Sequence, residues 1–179
     1  LEVNAPYAEV ERSRHPEALL AGLSDRCERY TWRGASRVLP VTSVLGAIVE
    51  RAGVPASRIR VIGNAVDPSQ FERLCSPDEA KAALGLQGRT VVGFTGFVNE
   101  WDRLDRVLTW LAGYPRRHEV HLLVVGDGPV RAALEAQARD AGIAGHLTFT
   151  GVVARVDVPR LAAAFDVALQ MALVPFASP

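Results

Sequence analysis

The chain has 179 residues, 49% of them hydrophobic, and a mean hydropathy of +0.11, so it can bury a core without help from metal or disulfides. Twenty basic residues balance twenty acidic ones with no long single-sign run, which argues against a nucleic-acid partner. Cys27 and Cys75 stand alone, without a disulfide framework or a metal-ligand spacing, no apolar run reaches the roughly 18 residues of a membrane span, and no signal-peptide pattern opens the chain.

The default location is therefore a reducing cytoplasm, and an amphipathic surface at the inner membrane face is compatible with it. Lys81 is the only lysine, and arginine and alanine are abundant, a composition typical of GC-rich bacterial genes. The chain opens on Leu1 rather than methionine and stops at Pro179 after the apolar run Ala172–Phe176, so truncation at both ends is expected.

From Glu9 to Arg33 the pattern is mostly helical, with Leu19, Leu20, Leu23, Cys27 and Tyr30 on one apolar face and Pro16 marking an early break or first turn. Arg37–Thr42 reads as a short strand. Thr42 or Ser43 can cap a helix running through Arg51, with Gly53 as its stop. A further strand is expected at Ile59–Ile62, followed by the turn-rich stretch Gly63–Phe71, and the polar Ser76–Glu79 opens a helix with proline in its first turn.

Beyond that boundary the alternation is regular. Strands are predicted at Thr90–Thr95, Val120–Val125, Leu147–Thr150 and Val167–Leu169, and helices at Leu104–Ala112, Pro129–Ala141 and Val158–Phe165. Such β-α-β spacing implies a parallel sheet covered by helices, and the continuous apolar runs at Val91–Phe94 and Leu122–Val125 suit strands buried on both faces. Right-handed crossovers then gather the loops after each strand along one edge, where open α/β sheets bind ligands.

Two of those loops are rich in glycine: Thr95–Trp101 and Gly126-Asp127-Gly128-Pro129. In the second, glycine permits close approach of the backbone, and free amides at the helix start favour an anion, phosphate above all. The alternative is a tight βα turn with no ligand. Neither loop carries a Walker or dinucleotide fingerprint.

Four motifs follow one another in fixed order: Val61-Ile62-Gly63-Asn64-Ala65-Val66-Asp67 with Phe71 behind it, Val92-Gly93-Phe94-Thr95-Gly96, Leu123–Pro129, and Leu147-Thr148-Phe149-Thr150-Gly151. Their order and spacing resemble the retaining, family-4-like glycosyltransferases (glycosyl transferases group 1), and the resemblance covers nearly the whole chain. It implies an α/β fold of the GT-B type: a Rossmann-like parallel-sheet domain plus the C-terminal portion of a second Rossmann-like domain. Residues 1–70 would close the N-terminal, acceptor-side domain and its linker. Residues 71–179 would begin the C-terminal, nucleotide-sugar-binding domain, with catalysis in the cleft between the two.

Residue by residue, the resemblance implies that Gly96 lets the donor phosphate approach the backbone, that Gly126, Asp127 and Gly128 line the same pocket, and that the backbone of Val152 and Val153 pairs with the nucleobase. Phe97 and Asp102 depart from it, standing where many relatives have an arginine and a lysine that neutralise the diphosphate. Arg103 or Arg106 can supply substitute charge or form a solvated helix face. Trp101 either lines the sugar pocket or packs the loop onto the sheet, and Asn99 is either a phosphate donor or a turn residue. The family's paired glutamates, Glu-x7-Glu, would lie beyond Pro179, so the catalytic residues are unknown and the segment alone is expected to be inactive.

His15, His118, His121 and His146 meet no carboxylate or thiol at metal-ligand spacing, and no Gly-x-Ser-x-Gly elbow is present. The expectation is transfer of a sugar from a nucleotide-diphosphate donor to a glycan, lipid or small-molecule acceptor, with no metal and no cofactor. Its rivals are a catalytically silent relative that binds a nucleotide or a protein, and an unrelated flavodoxin-like regulator.

Overall fold

The computed structural model describes residues 1–14, 21–70 and 75–170. They fall into two compact units that divide after Val66.

In the first unit, β1 (Glu2–Val3) pairs in parallel with β2 (Leu39–Pro40). On the far side of β2 the predicted strand Ile59–Ile62 is extended and partly bonded: Val38 forms a parallel bridge to Ile59, Arg60 N donates to Val38 O at 3.0 Å, and Ile62 N donates to Pro40 O at 3.0 Å. Pro40 has no N–H to return, so the ladder breaks there and the segment is no regular strand.

Helices α1 (Tyr7–Arg14) and α2 (Ala21–Gly34) cover the expected helical region, with His15, Pro16, Leu19 and Leu20 outside the described residues. The inward face of α2 is not the predicted one. Leu23, Cys27 and Tyr30 are exposed, Tyr30 at 81%, whereas Trp32 is buried against Val38, Leu45, Val49 and Val54. A tryptophan buries more apolar area than the smaller residues opposite it. On the same side Glu28 accepts from Tyr7 N at 2.8 Å and Ala8 N at 3.3 Å, capping α1. Helix α3 (Ser43–Arg51) starts at Thr42, whose hydroxyl accepts from Leu45 N at 3.1 Å, and the chain leaves it through Gly53 at φ +95°.

The second unit opens with α4 (Pro77–Ala83). Ser76 and Glu79 form a reciprocal capping box, Glu79 N to Ser76 Oγ at 3.3 Å and Ser76 N to Glu79 Oε2 at 2.8 Å, with Pro77 at the first helical position. There follow β3 (Thr90–Thr95), α5 (Leu104–Gly113), β4 (Val120–Val125), α6 (Arg131–Asp140), β5 (Leu147–Phe149), α7 (Val158–Ala162) and β6 (Val167–Ala168). All pairings are parallel, in the order β5-β4-β3-β6.

Both faces of this sheet are covered. Val92, Phe94, Leu122 and Val124 face Leu104, Leu108 and Leu111 of α5 and Leu134 of α6, while Val91, Leu123 and Val125 face Ala80 of α4, Leu86 and the α7 segment. The chain winds from β3 outward to β5, then crosses back to place β6 on the other side of β3. The topological switch point therefore lies between β3 and β6.

Asp166 fastens the return crossing. It accepts from Lys81 Nζ at 2.7 Å and from Val91 N at 2.7 Å, joining α4 to β3 and to the start of β6. Helix α7 is shorter than the predicted Val158–Phe165, and Phe165 instead lays its ring on Gly93, where any Cβ would collide with it.

Candidate nucleotide site at the carboxyl edge of the sheet

The loops after β3, β4 and β5 meet at one edge. Gly96 N donates to Val125 O at 3.1 Å, Val98 N to Asp127 O at 2.9 Å, and Thr150 N to Val124 O at 3.0 Å. Gly96 and Gly126 both have φ +150°, a conformation that disfavours a side chain. A Cβ on Gly126 would run into Gly96 O, and one on Gly128 into Val98 O and N. The two glycine-rich turns are thus in backbone contact, which only residues without side chains at 126 and 128 permit.

Asp127 is committed to the turn's own frame. It accepts from Gly128 N at 2.8 Å and from Arg131 Nη1 at 2.9 Å. These two contacts, the Gly128 amide first, hold its carboxyl below the usual range. Of the amides at this helix start, that of Gly128 is therefore already satisfied, because an acidic side chain one residue back reaches it more readily than a solute does. Arg131 also bonds Glu135 at 2.8 Å and lies 5.3 Å over the Phe149 ring. Sequence reading passed over Arg131, although Asp127, Arg131 and Glu135 repeat at four-residue spacing, the signature of paired charges on a helix face.

In the loop after β3, Val98 is fully buried while Phe97 is 68% exposed. Asn99 Nδ2 donates to Phe97 O at 3.1 Å, and Asn99 N donates to Asp102 Oδ2 at 2.7 Å. Asp102 caps the short 3-10 turn Glu100–Asp102, whose central Trp101 is half-buried. Arg103 is the one non-glycine with positive φ among the described residues, at φ 50° and ψ 34°. Its guanidinium grips Asp105 with two bonds, at 2.9 and 2.8 Å, so its charge is paired at the start of α5. Arg106 is exposed one turn along.

Asn99, Arg103 and Asp105 line an open groove of about 250 Å³ against Val130, Leu134 and Gln137 of the α6 segment. After β5, Gly151 takes φ +70° beside Asp127 and Arg131. Val152 beyond it is 88% exposed, and Val153 packs on the inner core. All the predicted donor-site residues thus belong to the loops after β3, β4 and β5, with the side chain of Asp102 held by Asn99 N, that of Arg103 by Asp105 of α5, and that of Asp127 by Gly128 N and Arg131 of α6. No group of three metal-ligating side chains occurs among the described residues, and no described helix is long and apolar enough to cross a membrane.

Residues 77–174 match the sequence profile of glycosyl transferases group 1. The chain is 31% identical over 176 residues to a 2-deoxystreptamine glucosyltransferase of Streptomyces kanamyceticus, covering 94% of this chain and 43% of that protein. It is 34% identical over 120 residues to a GDP-mannose-dependent alpha-(1-6)-phosphatidylinositol monomannoside mannosyltransferase of Mycobacterium tuberculosis, covering 63% of this chain and 30% of that one. Among solved structures it resembles WaaG, a glycosyltransferase involved in lipopolysaccharide biosynthesis, with a TM-score of 0.80 at 23% identity over 98% of this chain and 51% of WaaG. It also resembles Anabaena HepE in complex with UDP-glucose, with a TM-score of 0.78 at 21% identity over 97% of this chain and 46% of HepE. The chain therefore spans less than half the length of the curated relatives it matches. By this profile match and the parallel fold that carries it, the chain belongs to the group 1 glycosyl transferases and shares the GT-B fold.

Proposed function

We propose that this chain is the part of a retaining glycosyltransferase that seats a nucleotide-diphosphate sugar, for transfer to a glycan, lipid or small-molecule acceptor. The observation that carries the reading is the backbone contact between the Gly96 and Gly126 turns at the carboxyl edge, beside the switch point where α/β sheets take nucleotides. Relatives named as glucosyl- and mannosyltransferases, and a structural neighbour solved with UDP-glucose, support a nucleotide-sugar donor.

In this reading Gly96 and the Gly126–Gly128 turn bear the diphosphate, and the Val152–Val153 backbone meets the base. Phe97, Asn99, Trp101, Asp102 and Arg103 shape the donor pocket. Transfer needs no metal, the catalytic carboxylates lie outside the described residues, and the protein works in the cytoplasm or against the inner membrane face.

Thermal shift with UDP, GDP and ADP tests the seat: one of the three raises the melting temperature, and no shift with any of them ends the reading. A panel of donor sugars with the full-length parent protein then tests transfer. The second reading, a silent relative that binds without turnover, is favoured by Phe97 and by Asp102, whose carboxylate is spent on the Asn99 amide. It predicts the thermal shift without any sugar transfer.

A further inference from the structure

Phe97 combines two properties that rarely coexist in a packing residue. Its backbone is fixed on both sides: Gly96 N is bonded to Val125 O at 3.1 Å, Val98 N to Asp127 O at 2.9 Å, and Phe97 O itself accepts from Asn99 Nδ2 at 3.1 Å. Yet its ring is 68% exposed, while the next residue, Val98, is fully buried. Leaving a phenyl ring in water forgoes burial energy that the core one residue away could have supplied. A solvent-facing aromatic on an anchored backbone at a ligand-binding edge supplies contact area with little but its own side-chain torsions left to order on binding.

Resting on the nucleotide-sugar reading above, we propose that Phe97 is the platform for the donor sugar, its ring lying against the apolar C–H face of the pyranose. The assignment to sugar rather than base follows from the strand order together with the base position proposed above. A nucleotide laid along the edge with its diphosphate on the Gly96 and Gly126 turns has its base and its sugar on opposite sides of that seat. The base takes the β5 side, at Val152 and Val153. The sugar takes the side of β3 and β6, at the switch point, and Phe97 belongs to the β3 loop. A neutral aromatic serves there because a pyranose carries no charge and offers an apolar patch of ring hydrogens.

The test is isothermal titration of the wild-type protein and of Phe97→Ala, Phe97→Leu and Phe97→Trp, each with UDP and UDP-glucose, GDP and GDP-mannose, and ADP and ADP-glucose. Thermal melting of each variant verifies the fold. For the nucleotide that binds, Phe97→Ala and Phe97→Leu lower the affinity for the sugar nucleotide about tenfold, leave the nucleoside diphosphate within about twofold, and Phe97→Trp retains both. Equal loss for nucleotide and sugar nucleotide, no loss for either, or failure of Phe97→Trp to retain sugar-nucleotide affinity overturns the platform and leaves the nucleotide seat standing. Absence of binding by any of the three wild-type nucleotide pairs overturns the seat itself, and the platform with it.

Discussion

The main-chain oxygen of Gly96 occupies the space in which a side chain on Gly126 would begin. Two turns more than twenty-five residues apart in sequence are thus brought into contact by adjacent parallel strands whose last paired residues are Thr95 and Val125. The contact is local to the second unit and independent of any ligand, so it can be tested through stability before binding.

Gly126→Ala meets both the steric block at Gly96 O and the strained φ of +150°, and the two together cost on the order of 3 kcal/mol. Urea denaturation measures this. A loss below about 1 kcal/mol would mean that the turns separate freely, against the packing described. Gly128→Ala, blocked by Val98 O and N, behaves alike.

Asp166 holds Lys81 and the Val91 amide at 2.7 Å each. Burial would by itself raise its pKa, but the Lys81 ammonium and the Val91 N–H outweigh that and hold the carboxyl below the usual range. Asp166→Ala leaves an amide and an ammonium without their acceptor and destabilises the second unit by about 2 kcal/mol. Asp166→Asn, which can still accept from Val91, falls between the variant and wild type in chemical denaturation.

His121 is buried near the start of the inner strand β4, with Nε2 2.8 Å from Thr148 Oγ1 and no hydrogen-bond partner at Nδ1 among the described residues. Burial, with the positive charges of Arg89 and His146 nearby, lowers its pKa to about 4 from 6.5. Between those values the unfolded chain binds the extra proton, so this contribution to stability is complete above pH 6.5 and disappears as pH falls through 4. Urea midpoints at pH 7, 5.5 and 4.5 should fall steadily in the wild type and more shallowly in His121→Leu; parallel profiles would contradict the assignment.

Arg103 sits in the left-handed region without being glycine, and a half-buried ion pair to Asp105 two residues on is a weak recompense. Arg103→Gly relieves the backbone and raises the melting temperature by about 2 to 4 °C, despite losing the pair. A lowered melting temperature would show that the two-bond grip on Asp105 outweighs the strain.

Local signals in the sequence were sufficient for much of this molecule. The runs at Val91–Phe94 and Leu122–Val125 announce strands buried on both faces, Thr42 and Ser76 announce helix starts, and regular strand-helix alternation announces a parallel sheet, because periodicity, capping and turn chemistry act over a few residues. The candidate site was legible to the same extent: glycines at 96, 126 and 128 mark close backbone approach without saying what approaches. The bonds of Asp127 to the Gly128 amide, of Asp102 to the Asn99 amide and of Arg103 to Asp105 span one to three residues and belong to local turn geometry, whereas that the glycines' partners are each other was decided by tertiary structure. So was the face of α2 that docks, where Trp32 prevails over the longer apolar stripe of Leu23, Cys27 and Tyr30. The physical reason is common to both. Which backbone turn meets which, and which apolar face finds a core, depends on strands and helices distant in sequence, and a linear pattern carries no record of that distance.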